Sequence, residues 1–246
     1  NGLGGYASGT VGGPRTRCYH GLLVAALDPP LGRTLLASHL DETVRYDGRD
    51  YALAAHRWAD GTVDPRGFVH LDRFHLEGTV PTWTYACGDA LLEKQVWMAE
   101  GATTTYVQYT VPRARGPVTL RAKAFVNHRN HHATTQAGDW QMRVSSTDEG
   151  VRVDAYDGAT PVFLRSDAAS IIAEHVWYRD YHLAAEAARG LDAHEDALHA
   201  ATVEATVAPE DPLTLALSTD AEAPLDGATA RAARRDRDGA LVEQAG

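Results

Sequence analysis

Turn signals recur along this chain about every eight to twelve residues, and that spacing limits its fold more than any other feature. Asp47-Gly48, Asp60-Gly61, Gly88-Asp89, Glu100-Gly101 and Asp157-Gly158 all punctuate it. Asp-Gly pairs accept the positive φ of tight hairpin turns. Between the turns lie runs of β-branched and aromatic residues, which fit a pleated, half-buried surface. Residues 33–46, 51–58, 68–77, 82–87, 90–98, 103–111 and 118–126 read as successive strands. A second series follows at 140–146, 151–156 and 161–165, with last strands at 198–207 and 213–218 split by Pro209 and Pro212. Residues 170–187 mix a strand with a helical turn. The expectation is an all-β protein, a large antiparallel β-sandwich over residues 1–220. Beyond it, residues 221–246 change character. Residues 229–244 are helix-prone, dense in charge and short of apolar anchors, which suits a linker or the first helix of a following domain.

At 246 residues, 44% hydrophobic and 23% charged, the chain has the length and composition to bury a sizeable core. Its formal net charge of −10 argues against nonspecific nucleic-acid binding, which needs a basic footprint. No apolar run approaches the roughly 18 residues of a membrane span. The two cysteines, Cys18 and Cys87, make no disulfide framework; they read as small buried hydrophobes and fit a reducing, cytoplasmic compartment.

Residues 1–27 are the most informative stretch. The first fourteen residues hold six glycines, and an apolar strand is expected over 19–27. Between these halves sit Arg15, Arg17, Tyr19 and His20, where a loop meets a fixed strand, a common place for binding residues. Arginine supplies a rigid fork of donors and tyrosine a flat face with a polar tip, the chemistry that sugar hydroxyls and pyranose rings require. Strand alternation puts Arg17 and Tyr19 on one face and His20 on the other, unless the chain bends there. A competing reading gives the glycines to an interdomain turn and pairs Arg15 or Arg17 with a buried acid.

The run Asn-Gly-Leu-Gly-Gly-Tyr-Ala-Ser-Gly-Thr, followed by Thr-Arg-Cys-Tyr-His-Gly-Leu-Leu, resembles the N-terminal domain of bacterial and archaeal glycogen debranching enzymes of the amylo-α-1,6-glucosidase family. In that family a β-rich N-terminal domain precedes a helical (α/α)6 barrel carrying the catalytic carboxylates. The resemblance implies a non-catalytic piece of a glycoside hydrolase of glycogen catabolism, with no cofactor. Its partners would be its own catalytic domain, absent from this chain, and α-glucan. The parent chemistry would be hydrolysis of α-1,6 branch linkages by an acid and a base, neither among these residues. Residues 221–246 would lead towards that barrel. Alternatives are an independent carbohydrate-binding module and a purely structural assembly domain.

Two further segments carry the resemblance. At residues 127–132, Arg129 and His132 are expected as loop residues at the sandwich end, either in a plain surface loop or in a sugar or domain-interface role. A metal reading of this histidine-rich run fails on spacing, because His128 and His132 share a face only on a helix. In the second segment, Trp177 and Tyr178 could stack on glucose rings while Arg179 and Asp180 bond hydroxyls; a core role with a local ion pair is the alternative. His70 and His75, five apart, fall on opposite strand faces and do not form a pair.

Overall fold

The computed structural model describes residues 1–209 and 211–245. Its first strands are β1 (Tyr6–Ser8), β2 (Gly21–Leu27), β3 (Gly32–Tyr46), β4 (Arg49–Ala52), β5 (Ala55–Arg57) and β6 (Val63–Arg66). A 3-10 turn (Gly67–His70) leads to β7 (Leu71–Glu77), β8 (Val80–Cys87), β9 (Ala90–Met98), β10 (Thr104–Arg113) and β11 (Val118–Asn130). Then come β12 (Arg143–Thr147), β13 (Gly150–Asp154), β14 (Val162–Arg165) and β15 (Ser170–His182). A single helical turn, α1 (Ala184–Ala187), precedes β16 (His194–Val207) and β17 (Leu213–Ser218), and α2 (Gly227–Ala245) follows.

Two antiparallel sheets form the body. One runs β1-β2-β3-β11-β16-β15 with β4 beside β3; the other runs β12-β13-β14-β17-β10-β9-β8-β7. The expected all-β sandwich is what forms. Strand alternation explains the core. Val107, Tyr109 and Val111 of β10 and Leu213, Leu215 and Leu217 of β17 face inward, against Leu36, Leu40 and Val44 of β3 and Leu120, Ala122 and Ala124 of β11. The alternate residues of the second sheet make a smaller outer cluster. Trp97 stacks on Tyr106 at 5.6 Å, with Val80 and Ala216 beside them.

That outer cluster receives α2. Leu225 and Ala230 pack on it, and Tyr106 donates to the Pro224 carbonyl at 2.8 Å. Asp226 caps the helix, accepting from the Thr229 amide at 3.0 Å and the Thr229 hydroxyl at 2.6 Å. Ion pairs supply what apolar anchors do not: Arg231 reaches Glu77, and Arg237 reaches Glu100. The helix-prone end therefore is a helix, packed on this domain; Gly246, the last residue of the expected linker, lies outside the described residues. No helix among the described residues is long and apolar enough to cross a membrane.

Several boundaries differ from expectation, each for a physical reason. The strand expected over 19–27 begins at Gly21, because residues 17–20 form a turn closed by the His20 amide on the Arg17 carbonyl at 3.1 Å. The strand expected over 51–58 splits, its second half leaving the sheet to pair β5 with β6. Residues 67–70 are a 3-10 turn, so β7 starts only at Leu71. Strand β11 runs on through Asn130, which makes Arg129 a buried strand residue and not a loop residue. Likewise β16 starts at His194, four residues before the strand expected over 198–207.

Candidate functional site

The opening segment is a folded loop laid along the edge of the first sheet. Asn1 organises it, its Oδ1 accepting from the Leu3 and Gly5 amides at 3.0 and 2.9 Å. Gly5 must be glycine here, since a Cβ would stand 2.9 Å from the Val24 carbonyl oxygen and 2.7 Å from the Asn1 side chain. After the short β1 strand, Gly13 takes a φ of +98°, which L side chains rarely adopt, and turns the chain inward.

Arg15 then enters the interior. It is 7% exposed, and its Nη1 donates to Glu195 of β16. Arg129, also 7% exposed, donates from Nε to the other oxygen of the same carboxylate. Glu195 itself is 0% exposed, so one fully buried acid serves two buried guanidiniums. Arg129 also donates from Nη2 to the Cys18 carbonyl at 2.8 Å, tying the opening segment to the triad. Two residues on, Arg17 pairs with Glu186 of α1 at 3.0 Å. The same Glu186 oxygen accepts from the Cys18 amide at 3.1 Å and its thiol at 3.3 Å. Burial raises the Glu186 carboxyl, but the Cys18 amide and Arg17 outweigh it, and its pKa stands below the ordinary value. Burial and the Glu186 carboxylate together push the Cys18 thiol up to about 11. His20 is lowered by burial and by Arg15 and Arg17; as a neutral ring it accepts the Thr16 amide on Nδ1 at 3.2 Å.

Above this base lies a polar aromatic rim. The Tyr19 hydroxyl meets His132 Nδ1 at 2.9 Å, and the Tyr6 hydroxyl meets His131 Nδ1 at 3.2 Å. Tyr19 stands edge-on to both imidazoles at 5.4 Å, and the Arg17 guanidinium lies 5.2 Å from the Tyr19 ring centre. Burial and the neighbouring His132 hold the His131 pKa below its usual value, which favours the neutral ring. Tyr6 also joins the rim to a cleft of about 430 Å³ beside the opening segment. Residues 5–11 of the opening segment wall it on one side, and Phe74, Trp83, Lys94 and Trp97 of the second sheet on the other. Arg15 lines it too, with its Nε and Nη2 buried and without a protein acceptor.

Of the residues singled out from sequence, Arg17, Tyr19 and His132 come together at the rim, with Arg15 and Arg129 beneath them. Residues 177–180 lie apart, on β15. Trp177 packs against the core and donates from Nε1 to the Trp140 carbonyl at 3.0 Å. Tyr178 faces the other way, its hydroxyl taking the Lys123 ammonium at 2.7 Å and its ring meeting Phe125 edge-on at 5.0 Å. Arg179 reaches Asp196 at 3.5 Å, and Asp180, at φ +64°, gives its amide to Asp196 at 3.0 Å. Sequence reasoning offered a buried acid for Arg15 or Arg17, and both find one, but it did not identify Glu186 and Glu195 as those acids. It also missed a cluster on the outer face of the first sheet, where His39 and Asp41 of β3 meet His56 of β5. The same-face spacing of His39-x-Asp41 was the available signal.

Among solved structures, the chain is similar to a bacterial glucoamylase complexed with acarbose, at 8% identity and a TM-score of 0.39. That match covers 97% of this chain and 36% of the glucoamylase chain. No curated protein sequence matches. Over residues 1–214 the sequence fits the family described as "Glycogen debranching enzyme N terminal", and the chain belongs to that family.

Proposed function

We propose that this chain is the non-catalytic N-terminal domain of a glycogen-debranching α-1,6-glucosidase, docking on the catalytic domain and shaping the glycan cleft. The rim formed by Arg17, Tyr19 and His132 carries the reading. It presents a flat tyrosine face and several donors in fixed geometry on a half-exposed surface. Neutral, polyhydroxylated rings are bound by that combination of a stacking face and directional hydrogen bonds. Its residues are already ordered by buried partners, so little conformational entropy is lost when a ligand arrives. Docking draws support from β15, an edge strand that exposes Ile172 and Val176. The residues of 177–180 then serve as scaffold, apart from Tyr178, which sits on that outer face.

The test is kinetic. In the complete enzyme, Tyr19→Ala and Arg17→Ala should each lower kcat/KM on a branched glucan about tenfold, the loss of one stacking or charged contact. Unchanged kcat/KM in both variants would overturn the glycan role and leave a structural domain. Migration of the isolated chain in a glycogen gel distinguishes the remaining alternative, because only an independent binding module is strongly retarded.

A further inference from the structure

Three side chains with metal-ligand chemistry converge on the outer face of the first sheet. His39 and Asp41 stand two apart on β3 and so share a face, and the β5–β6 hairpin brings His56 across to meet them. Asp41 Oδ1 lies 3.5 Å from His39 Nε2 and 2.7 Å from His56 Nε2. One ligand atom from each of the three residues lies within 4.8 Å of the other two. A tetrahedral ion with ligands at about 2.0–2.1 Å separates its ligand atoms by about 3.3 Å, so shifts of about half an ångström to one and a half would accommodate one.

The hydrogen bonding around His39 supplies a second, independent observation. The Ser38 hydroxyl lies 3.2 Å from the Phe125 carbonyl and 2.9 Å from His39 Nδ1. Where the Ser38 proton lies on the carbonyl, Ser38 accepts from Nδ1–H, and Nε2 keeps a lone pair. That Nε2 is buried and has no hydrogen-bond partner, yet it faces a carboxylate oxygen. A lone pair aimed at an anion is relieved by a cation between them. An outer hydrogen bond that fixes the tautomer is also how ligating histidines are held. The rings are held as well: His39 stacks on Phe125 at 4.4 Å, and Tyr181 stands edge-on to His39 and His56 at 5.3 and 4.9 Å. Nearby cations have carboxylates of their own, Arg15 with Glu195 and Lys94 with Glu42.

We propose that His39, Asp41 and His56 bind one divalent transition-metal ion of the zinc class. Two imidazoles and a carboxylate suit zinc or cobalt far better than magnesium or calcium, which take oxygen ligands. Both histidines line the same cleft as Arg15, so a fourth, non-protein ligand can reach the ion from there. The ion would clamp the β5–β6 hairpin onto β3.

Cobalt(II) titration of the metal-stripped chain tests this. One equivalent should bind with the visible absorption of a tetrahedral ion, zinc should displace it, and zinc should raise the Tm of the parent chain. His56→Gln should weaken binding by at least a hundredfold, whereas His75→Gln, elsewhere on β7, should leave it unchanged. If His56→Gln does not fold, X-ray absorption of the zinc-loaded parent decides instead, with imidazole scattering expected in the zinc shell. Absence of cobalt binding, undiminished binding in folded His56→Gln, or a zinc shell without imidazole would each overturn the proposal.

Discussion

Replacing Glu195 with glutamine should cost this domain more stability than removing any exposed charge. The change keeps the side chain's size and removes only its charge. Glu195 is 0% exposed and accepts from Arg15 and Arg129, each 7% exposed. Breaking one buried ion pair by deleting a partner costs about 3–5 kcal/mol, because a charge is left without compensation. Here two guanidiniums lose one shared acid, which points to the upper end of that range. At about 2–4 °C per kcal/mol for a chain of this size, the Tm should fall by on the order of 10–20 °C. Urea denaturation gives the free energy directly, and circular dichroism before denaturation checks the fold. A double-mutant cycle with Arg15→Met isolates the coupling. Arg15→Met should cost less in the Glu195→Gln background than in the parent, since it then removes an unpaired charge, with a coupling of about 1–3 kcal/mol. Arg189→Ala, which touches Glu186 from a side chain 52% exposed, should cost under about 1 kcal/mol. A Glu195→Gln variant within about 1 kcal/mol of the parent, or an additive cycle, would refute the argument that this carboxylate holds the two arginines.

Gly67→Ala should destabilise by about 3 kcal/mol or more, because the new Cβ would fall 1.9 Å from the Leu53 carbonyl oxygen; an unchanged urea midpoint would contradict this. The hydrogen bonds from Thr229 hold the Asp226 carboxyl below its ordinary 3.8, so its capping contribution should be complete above that pH and lost as the pH falls through the lowered folded value. Protection factors in the first turn of α2, corrected for the intrinsic pH dependence of exchange, should therefore fall at acid pH in the parent and already be low at neutral pH in Asp226→Ala. Burial lifts both thiols to about 11, Cys18 with help from Glu186. A disulfide reagent at pH 8 should label neither cysteine in the folded chain and both in urea; rapid labelling of one equivalent without denaturant would show that the opening segment is not packed down.

Much of the fold was legible because turns are local. Asp-Gly pairs and the strands between them are written in neighbouring residues, and the sandwich follows from their rhythm. The strand ends were not legible, because long-range partners set them. The last long strand was expected only from Leu198, whereas β16 takes in His194–Asp196, where Glu195 finds Arg15, 180 residues away, and Arg129. Arg129 reads as a loop residue for the same reason. Within the site, Arg17, Tyr19 and His132 could be picked out by chemistry, but which acid each arginine meets, and that Arg15 is buried while Arg17 stays partly exposed, depends on partners about 170 to 180 residues away. The shared face of His39 and Asp41 was visible in the strand pattern. Their meeting with His56 needed the β5–β6 hairpin, which left the sheet where a continuous strand was expected.

The buried acids also separate two kinds of arginine within three residues of sequence. Arg15 points in and is held by Glu195, while Arg17 points outward over Tyr19 and is steadied by Glu186. Cys18 between them is fixed on both sides, its carbonyl by Arg129 and its amide by Glu186. Residues 15–19 are thereby pinned from below while the Tyr19 ring remains at the surface. In the proposed role, folding supplies the order that a flexible loop would otherwise have to acquire on binding a glycan. The consequence is a division between neighbours. Substitutions at Arg15 and Arg129 should act on the folding equilibrium, and on glycan turnover only as far as they loosen the rim. Those at Tyr19 should act on turnover with little change in Tm, and those at Arg17 on both, because the buried Glu186 carboxylate loses an ion-pair partner. A glycan defect in Arg15→Met as large as that in Tyr19→Ala, at an unchanged melting temperature, would place Arg15 in contact with the sugar.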